Sequence, residues 1–260
     1  MDVIAEGYGL IEGPRVDPDG NLYFSDVTNG GVYRRARDGT IDTVVPKRRG
    51  VGGIALHADG GIVVSGRNIC HVTDGRSRTV FERPDASWND IFTDQQGRIY
   101  GGTLYEAFAE TSRTPGELWR INAEGEGTML YGDVGLSNGI GFSPDGRSLY
   151  HSDSHARRVL VSDVASDGTV TDRRAFATFD DGVPDGLAVD EEGAVWVAVY
   201  GGGHVARFSP DGALLDRVEV PRREVTSVCL SGTGAYIATV GALYRTQTGV
   251  AGLPVPPARV

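Results

Sequence analysis

The segment Asp17–Asp26 reads DPDGNLYFSD, a polar turn that ends in glycine and is followed by a short run of β-forming residues. The same phrase returns, with variations, at His57–Gly66, Asp94–Thr103, Ser143–Asp153, Asp190–Val199 and Ser231–Val240. The turn glycines of these copies are Gly20, Gly60, Gly97, Gly146, Gly193 and Gly234. Their spacing averages about 43 residues, the length typical of one four-stranded blade in a β-propeller.

Each copy also carries signals for the remaining strands of a blade. Asp38-Gly39 separates two β-rich segments, and a similar dipeptide recurs at Asp74-Gly75, Glu124-Gly125, Asp167-Gly168 and Asp211-Gly212. Asp-Gly between alternating segments is a strong hairpin signal. We therefore predict an all-β fold, a six-bladed β-propeller of four-stranded antiparallel blades, with residues 1–260 as a single domain. A β-sandwich is the alternative, but it does not require a repeat of this length.

The last copy lacks one strand. After the segment Leu243–Thr246 the chain reaches Pro254, Pro256 and Pro257, which do not favour a further paired strand. Val3–Ala5 belongs to no other blade and has a β-forming composition. We therefore expect the N-terminal strand to pair with the last blade, which closes the ring and removes both open sheet edges.

Composition excludes several classes of partner. The net charge of -10 argues against a nucleic-acid or anionic-membrane surface. The chain has no apolar run long enough to span a bilayer, and Met1–Leu10 lacks the pattern of a signal peptide. Cys70 and Cys229 lie far apart and are interpreted as reduced, buried thiols. We expect a cytoplasmic protein whose partner is a small-molecule substrate.

One position of the repeat carries oxygen-bearing side chains. The residues eight positions before the turn glycines are Glu12, Gly52, Asn89, Asn138, Asp185 and Thr226. The first strand of each blade lines the central channel of a propeller, and equivalent positions share the same height. The register therefore predicts that Glu12, Asn89, Asn138 and Asp185 form a ring at one mouth of the channel.

Such a ring favours a metal ion. Two carboxylates facing each other across a dry channel repel, and a divalent cation between them offsets that repulsion. Glu12 and Asp185 supply the charge, while Asn89 and Asn138 supply neutral oxygens. All-oxygen ligation suits calcium best, with magnesium, manganese or zinc as the other candidates. The alternative is that these residues cap the strand starts as Asx turns.

Four motifs around these positions carry a family resemblance. They are Ile11–Pro14 (IEGP), Trp88–Asp90 (WND), Leu136–Gly139 (LSNG) and Pro184–Gly186 (PDG). In this order and spacing the sequence resembles the SMP-30/gluconolactonase/luciferin-regenerating family over essentially its whole length. The resemblance implies a six-bladed propeller with one divalent metal in the channel, which most often acts as a lactonase.

The resemblance also implies roles for individual residues. Glu12 and Asn138 match metal-binding positions of the family. Asp185 matches an aspartate that binds the metal and serves as the general base. Asn89 matches an asparagine near the metal that contacts metal, water or substrate.

The chain departs from the family pattern at the substrate. Sugar-lactone members tend to carry an arginine two residues before the Asn89 position, and here Ser87 stands there. We therefore expect a lactone that is not highly hydroxylated. Trp88, Tyr105 and Glu106 are predicted to border the substrate together with Ser87, although the insert that holds Tyr105 and Glu106 could equally be an ordinary solvated loop.

Two other functions remain open at this level. The same metal site could perform ester or phosphoester hydrolysis, or an isomerisation or cyclisation in a biosynthetic pathway. The propeller could instead be a non-enzymatic calcium-binding protein. A binding module, however, would not need two carboxylates and two amides in its channel.

Overall fold

The computed structural model describes residues 1–105 and 114–260, and its regular elements there are β-strands. In chain order they are β1 (Asp2–Val16), β2 (Leu22–Asp26), β3 (Val32–Arg35), β4 (Ile41–Val45), β5 (Ile54–Leu56), β6 (Ile62–Val64), β7 (Ile69–Thr73), β8 (Arg76–Phe81), β9 (Ser87–Thr93), β10 (Ile99–Leu104), β11 (Gly116–Ile121), β12 (Gly127–Val134), β13 (Ser137–Phe142), β14 (Ser148–Asp153), β15 (Arg158–Val164), β16 (Val170–Thr178), β17 (Val183–Val189), β18 (Val195–Tyr200), β19 (His204–Phe208), β20 (Leu214–Glu219), β21 (Val225–Ser231) and β22 (Gly234–Gln247). Within the described ranges the structure has no helix with the length and hydropathy needed to cross a bilayer.

These strands form antiparallel sheets arranged as a propeller. Four sheets contain four strands each, β5 to β8, β9 to β12, β13 to β16 and β17 to β20. The remaining sheet has six strands in the order β21-β22-β1-β2-β3-β4. The prediction of an all-β propeller built from four-stranded antiparallel blades is confirmed.

The prediction of six separate blades is corrected, because the strands described form five sheets. The reason is the length of β1, which has 15 residues. Its first part pairs with β22 and its last part, from Ile11 to Val16, pairs with β2. One strand thus belongs to both the first and the last repeat. The strands of these two repeats are therefore hydrogen-bonded into a single sheet. The expected closure is confirmed, since Val3 lies opposite Tyr244 and Ala5 opposite Leu243.

The first strands of the repeats surround a common axis. They contact one another in the order β1, β5, β9, β13, β17, β21, and β21 contacts β1 again. Apolar side chains fill the space between neighbouring repeats. Phe92 and Tyr100 of β9 and β10 pack with Ile140 and Phe142 of β13, for example. Burial of such surfaces is the main stabilising contribution to a fold of this kind.

The repeated turns are held by their own aspartates. Asp94 Oδ1 accepts hydrogen bonds from the backbone N–H groups of Gln96 and Arg98, at 2.9 and 3.0 Å. The following Gly97 has a φ of 79°, in the left-handed region that favours glycine. This local chemistry explains why the turn phrase is the clearest repeat signal in the sequence.

The segment 248–260 lies across the turn end of the channel. Leu253 N–H donates to the carbonyl of Val189 at 3.0 Å, and Ala258 N–H donates to the carbonyl of Leu56 at 2.7 Å. Thr93 Oγ1 donates to the carbonyl of Pro256. The segment therefore links several repeats at the end opposite to the predicted ring. Both cysteines are free and buried, as expected.

Deletion of residues 1–6 tests the shared strand. The deletion removes the partner of the outer half of β22 and exposes a sheet edge together with apolar contacts around Ala5. We expect the unfolding free energy to fall by about 3 kcal/mol or more, which thermal denaturation would show as a drop in Tm of roughly 5–10 °C. Equal melting of the truncated and full-length chains would contradict a stabilising role for this pairing.

Candidate functional site

The predicted ring residues lie at irregularities of the inner strands. The pairing between first and second strand shifts its register at Asn138 in β13 and at Asp185 in β17. In β1 the shift comes directly after Glu12, which itself lies opposite Ser25. The shift in β9 falls between Trp88 and Ile91, at Asn89 and Asp90. A β-bulge removes residues from the ladder and re-aims their side chains. The same backbone feature therefore recurs at three candidate positions and directly after the fourth, Glu12.

Glycines let the inner strands approach closely at this level. A Cβ on Gly52, which occupies the ring position of the second repeat, would lie 2.3 Å from Asn89 Oδ1. A Cβ on Gly139 would lie 2.6 Å from the carbonyl oxygen of Asp185. Neither position has room for a side chain. The small residues therefore bring the polar side chains of neighbouring repeats together.

A chain of hydrogen bonds connects the amides. Asn89 Nδ2 donates to Asn138 Oδ1 at 2.6 Å and to the carbonyl of Ser137 at 2.8 Å. Asn138 Nδ2 donates to Ser154 Oγ at 3.0 Å. Ser154 Oγ in turn donates at 2.6 Å to the carbonyl of Pro184, the residue before Asp185. The predicted proximity of Asn89 and Asn138 is thus observed, and the chain continues to the strand of Asp185.

The two acidic members of the ring are buried and repel each other. Glu12 is 9% exposed and Asp185 is 7% exposed. The pKa of Glu12 is raised well above its ordinary value, first by burial and then by the negative charge of Asp185. Burial also raises the pKa of Asp185, with a further contribution from Asp90. Asp185 Oδ1 is buried and has no hydrogen-bond partner among the described residues.

Asp90 is a third carboxylate that the sequence interpretation missed. Burial raises its pKa to about 6, against the opposing effect of the Arg15 guanidinium. The signal was present in the repeat register, since the position after the ring residue is glycine in four repeats and aspartate in the third. These glycines are Gly13, Gly53, Gly139 and Gly186.

The donor set fits a hard divalent cation. Among the described residues, no group of three or more His, Cys, Asp or Glu side chains is arranged as a metal site. The candidate set differs because two of its members are amides. Its donors are all oxygens, and one of them, Asp185 Oδ1, is buried without a partner. Buried oxygens of this kind suit calcium, magnesium or manganese better than zinc.

Trp88 does not border the site, and this prediction is corrected. Its side chain is fully buried. Its ring packs against Phe81 and Trp119, with ring centroids 5.6 and 6.5 Å away. A side chain without exposed surface cannot contact a substrate, so Trp88 belongs to the core between the second and third repeats.

The other predicted substrate contacts have separate locations. Ser87 is half-buried at the start of β9, opposite Leu104. Tyr105 is half-buried, and its pKa is raised by burial and by a hydrogen bond with Glu117. Glu106 lies outside the described residues. Ser87 therefore lies on the same strand as Asn89, two residues before it. Tyr105 lies beside Glu117.

A cavity of about 420 Å³ lies elsewhere, at the turn end of the channel. Phe92, Phe142, Leu253 and Val255 contribute its apolar lining, and Arg15 reaches it from β1. None of the four ring residues lines it. The candidate site therefore lies at the other end of the inner strands, where the carboxylates of Glu12 and Asp185 are buried.

A buried histidine is connected to Asn89 through hydrogen bonds to Ser137. His151 is fully buried; its Nδ1 lies 2.9 Å from Tyr131 Oη and its Nε2 lies 2.7 Å from Ser137 Oγ. Burial lowers the pKa of His151 to about 3. A neutral His151 thus holds Ser137, whose carbonyl accepts the hydrogen bond from Asn89.

Comparison with known proteins agrees with this fold and these motifs. The chain belongs to the SMP-30/gluconolactonase/LRE-like family, whose sequence model matches residues 10–241. The resemblance carried by the four motifs is confirmed. A 6-deoxy-6-sulfogluconolactonase of Pseudomonas putida is 35% identical over 223 residues, covering 81% of this chain and 75% of that protein.

Two further matches extend over most of the chain. A pentonolactonase of Haloferax volcanii is 31% identical over 249 residues, covering 89% of this chain and 82% of the relative. A solved structure of luciferin-regenerating enzyme superimposes with a TM-score of 0.92 at 25% identity, covering 99% of this chain and 97% of that one.

Gly52→Ala tests the close approach of the inner strands. The new Cβ would collide with Asn89 Oδ1 and with the Asn89 backbone, so we expect a loss of about 1–3 kcal/mol in stability. Urea denaturation measures the loss. Gly249→Ala is the control, because no atom lies within 4 Å of the position its Cβ would take. Equal stability of the two variants would show that β5 can move away from Asn89 at no cost.

His151 predicts an acid-dependent loss of stability. The unfolded chain binds a proton at this residue near pH 6.5, whereas the folded chain does so only near pH 3. Between these values the unfolded state binds the extra proton, so stability falls as the pH falls. We expect wild type to lose about 2 kcal/mol more than His151→Gln between pH 6.5 and 5. Denaturation curves at both pH values measure this, and parallel losses would contradict it.

Proposed function

We propose that the protein is a divalent-metal-dependent hydrolase that opens a lactone. The observation that carries the proposal is Asp185 Oδ1, a buried carboxylate oxygen without a hydrogen-bond partner in the described part of the chain, within electrostatic range of the buried carboxylate of Glu12. Lactone chemistry is supported by the relatives, two of which are named as lactonases. Membership of the family and the ring of buried oxygens thus support the same reaction class.

Glu12, Asn138 and Asp185 would hold the ion, with Asn89 next to it. We propose calcium, because carboxylate and amide oxygens are its usual ligands, with magnesium or manganese as the other candidates. When bound, the ion supplies Lewis-acid polarisation of the lactone carbonyl and stabilises the negative charge that develops on its oxygen.

The chain itself handles the proton and the substrate. The carboxylate of Asp185 accepts a proton from the attacking water, whose oxygen adds to the carbonyl carbon of the lactone. The ring C–O bond then breaks, and the proton passes to the departing alkoxide, which leaves a hydroxy acid. Asn89 is held by two hydrogen bonds from its Nδ2. Its Oδ1 accepts no hydrogen bond from the described residues and would be free to accept one from a water or a substrate hydroxyl.

The substrate is proposed from Ser87. A serine provides one hydroxyl where an arginine would provide five N–H donors for sugar hydroxyls. We therefore propose a lactone with few hydroxyl groups. A sugar lactone is the second candidate, favoured by relatives whose names specify a sulfogluconolactone and a pentonolactone.

We extend the proposal to the remaining properties of the chain. The closed ring of inner strands supports one domain over residues 1–260. The free buried cysteines are consistent with a cytoplasmic enzyme. The net charge of -10 favours a small-molecule substrate over nucleic acid or a membrane.

Two substitutions separate base function from metal affinity. Asp185→Asn keeps an oxygen and similar volume but removes the base, so we expect kcat to fall by about 10²-fold or more with the fold intact. Glu12→Gln weakens the charge that attracts the cation, so excess calcium should partly restore its activity. The same excess should not restore Asp185→Asn. A pH-stat assay over a panel of lactones measures both.

Chelation is the control for this experiment. Full activity after exhaustive chelation, with no metal found by elemental analysis, would refute the metal-dependent mechanism. Rescue of both variants by added metal would instead remove Asp185 from the role of base and leave it as a ligand.

Ser87→Arg tests the substrate proposal. New guanidinium donors two residues before Asn89 should raise kcat/KM for gluconolactone, relative to a lactone without ring hydroxyls, by about tenfold. Ser87→Ala is the matched control, because it removes the hydroxyl without adding a donor. If wild type already prefers gluconolactone strongly and the arginine changes nothing, the sugar-lactone candidate replaces the first one.

A further inference from the structure

Asp90 is fixed at the boundary of three repeats. Its Oδ1 accepts a hydrogen bond from the backbone N–H of Ile91 at 2.8 Å. The backbone N–H of Ile140, in the next repeat, also bonds to the carboxylate. On the other side a Cβ on Gly53 would lie 2.6 Å from Asp90 Oδ1. Bonds to backbone N–H groups hold this carboxylate in place, and it lies within electrostatic range of Glu12 and Asp185.

Arg15 is the cation that faces this carboxylate. Its Nε donates to the carbonyl of Ile54 at 3.1 Å. Its guanidinium carbon lies 5.2 Å from the ring centroid of Phe92. Within residues 1–105 and 114–260 the structure shows no ion pair within 4 Å for Asp90, so Arg15 acts on it through space. Both groups are thus held apart by backbone or ring contacts.

The charges in the channel match a divalent ion. Glu12, Asp185 and Asp90 contribute three negative charges when ionised, and Arg15 contributes one positive charge. The remaining two negative charges equal the charge of one divalent cation. Glu12 and Asp185 alone would give the same net charge, so the charges of Asp90 and Arg15 cancel. Removing one of the two should therefore change the attraction for a cation in the opposite direction to removing the other.

We infer that Asp90 and Arg15 are charge-setting residues beneath the candidate metal site, with Asp90 strengthening and Arg15 weakening its attraction for divalent cations. The inference rests on the proposed function. Neither residue is a ligand or a catalytic residue in this scheme. Asp90 acts through the field that it adds to Glu12 and Asp185, and Arg15 through the field that it adds to Asp90, in a buried region where charges are poorly screened.

Metal affinity measured by calorimetry tests the inference. We expect Asp90→Asn, which keeps an oxygen for the Ile91 N–H, to weaken binding of calcium and manganese by about tenfold or more at pH 8. Arg15→Gln should tighten binding by about threefold to tenfold, since it removes an opposing charge. The double variant should return close to wild type. The titrations use purified full chain, freed of metal, at constant ionic strength.

Asp94→Asn is the matched control, because it removes a buried carboxylate that directly follows the same strand, at the end away from the ring. It should lower Tm without changing metal affinity. Weaker binding in both Asp90→Asn and Arg15→Gln would indicate a structural role and overturn the inference, as would unchanged affinity in both. If Asp90→Asn does not fold, Arg15→Gln decides alone, because tighter binding cannot result from a folding defect.

The outcome for wild type separates the two proposals. If wild type binds no divalent cation, the metal-dependent function fails and this inference fails with it. If wild type binds the ion and Glu12→Gln weakens it, while the Asp90 and Arg15 variants match wild type, only the charge-setting role is refuted.

Discussion

The close approach of the inner strands is the constraint on which the site depends. Around the axis, a Cβ on Gly52, Gly139 or Gly186 would lie 2.2–2.5 Å from an atom of the neighbouring inner strand. Glycine at these positions lets one strand press against the next. The polar residue before two of these glycines then lies in a bulge, outside the regular ladder. Larger residues there would separate the strands and disperse the four oxygen-bearing side chains.

The repeat explains how much of the fold was predictable. Turn geometry is local, because Asp94 bonds to N–H groups two and four residues ahead. The turns therefore recur visibly in the sequence and predict the strands between them. The pairing of Val3 with Tyr244 is also anticipated, from a missing strand in the last repeat. What local patterns do not show is that β1 continues without a break from one repeat into another, which joins two blades into one sheet.

The placements of single site residues agree with or depart from the sequence-based prediction for identifiable reasons. The register of the repeat alone predicted that Asn89 and Asn138 lie close together, and the structure places them within hydrogen-bonding distance. Trp88 was misassigned although strand alternation argues against it, because a residue between Ser87 and Asn89 must face the opposite side of the sheet. Asp90 was missed for the converse reason. In a regular strand Asp90 would face the same side of the sheet as Trp88. The bulge at Asn89 and Asp90 breaks this alternation, and the Asp90 carboxylate lies within electrostatic range of Asp185.

The pairing of β1 with both β2 and β22 has a consequence for biosynthesis. Its first half is made before the other strands of the fold, whereas its partner in β22 is made only after all the intervening strands. Until then the outer half of β1 remains an unpaired edge, available to any other extended segment. The ring can therefore close only after β22 has left the ribosome. Nascent chains that stall before that point expose this edge and form a natural target for chaperones.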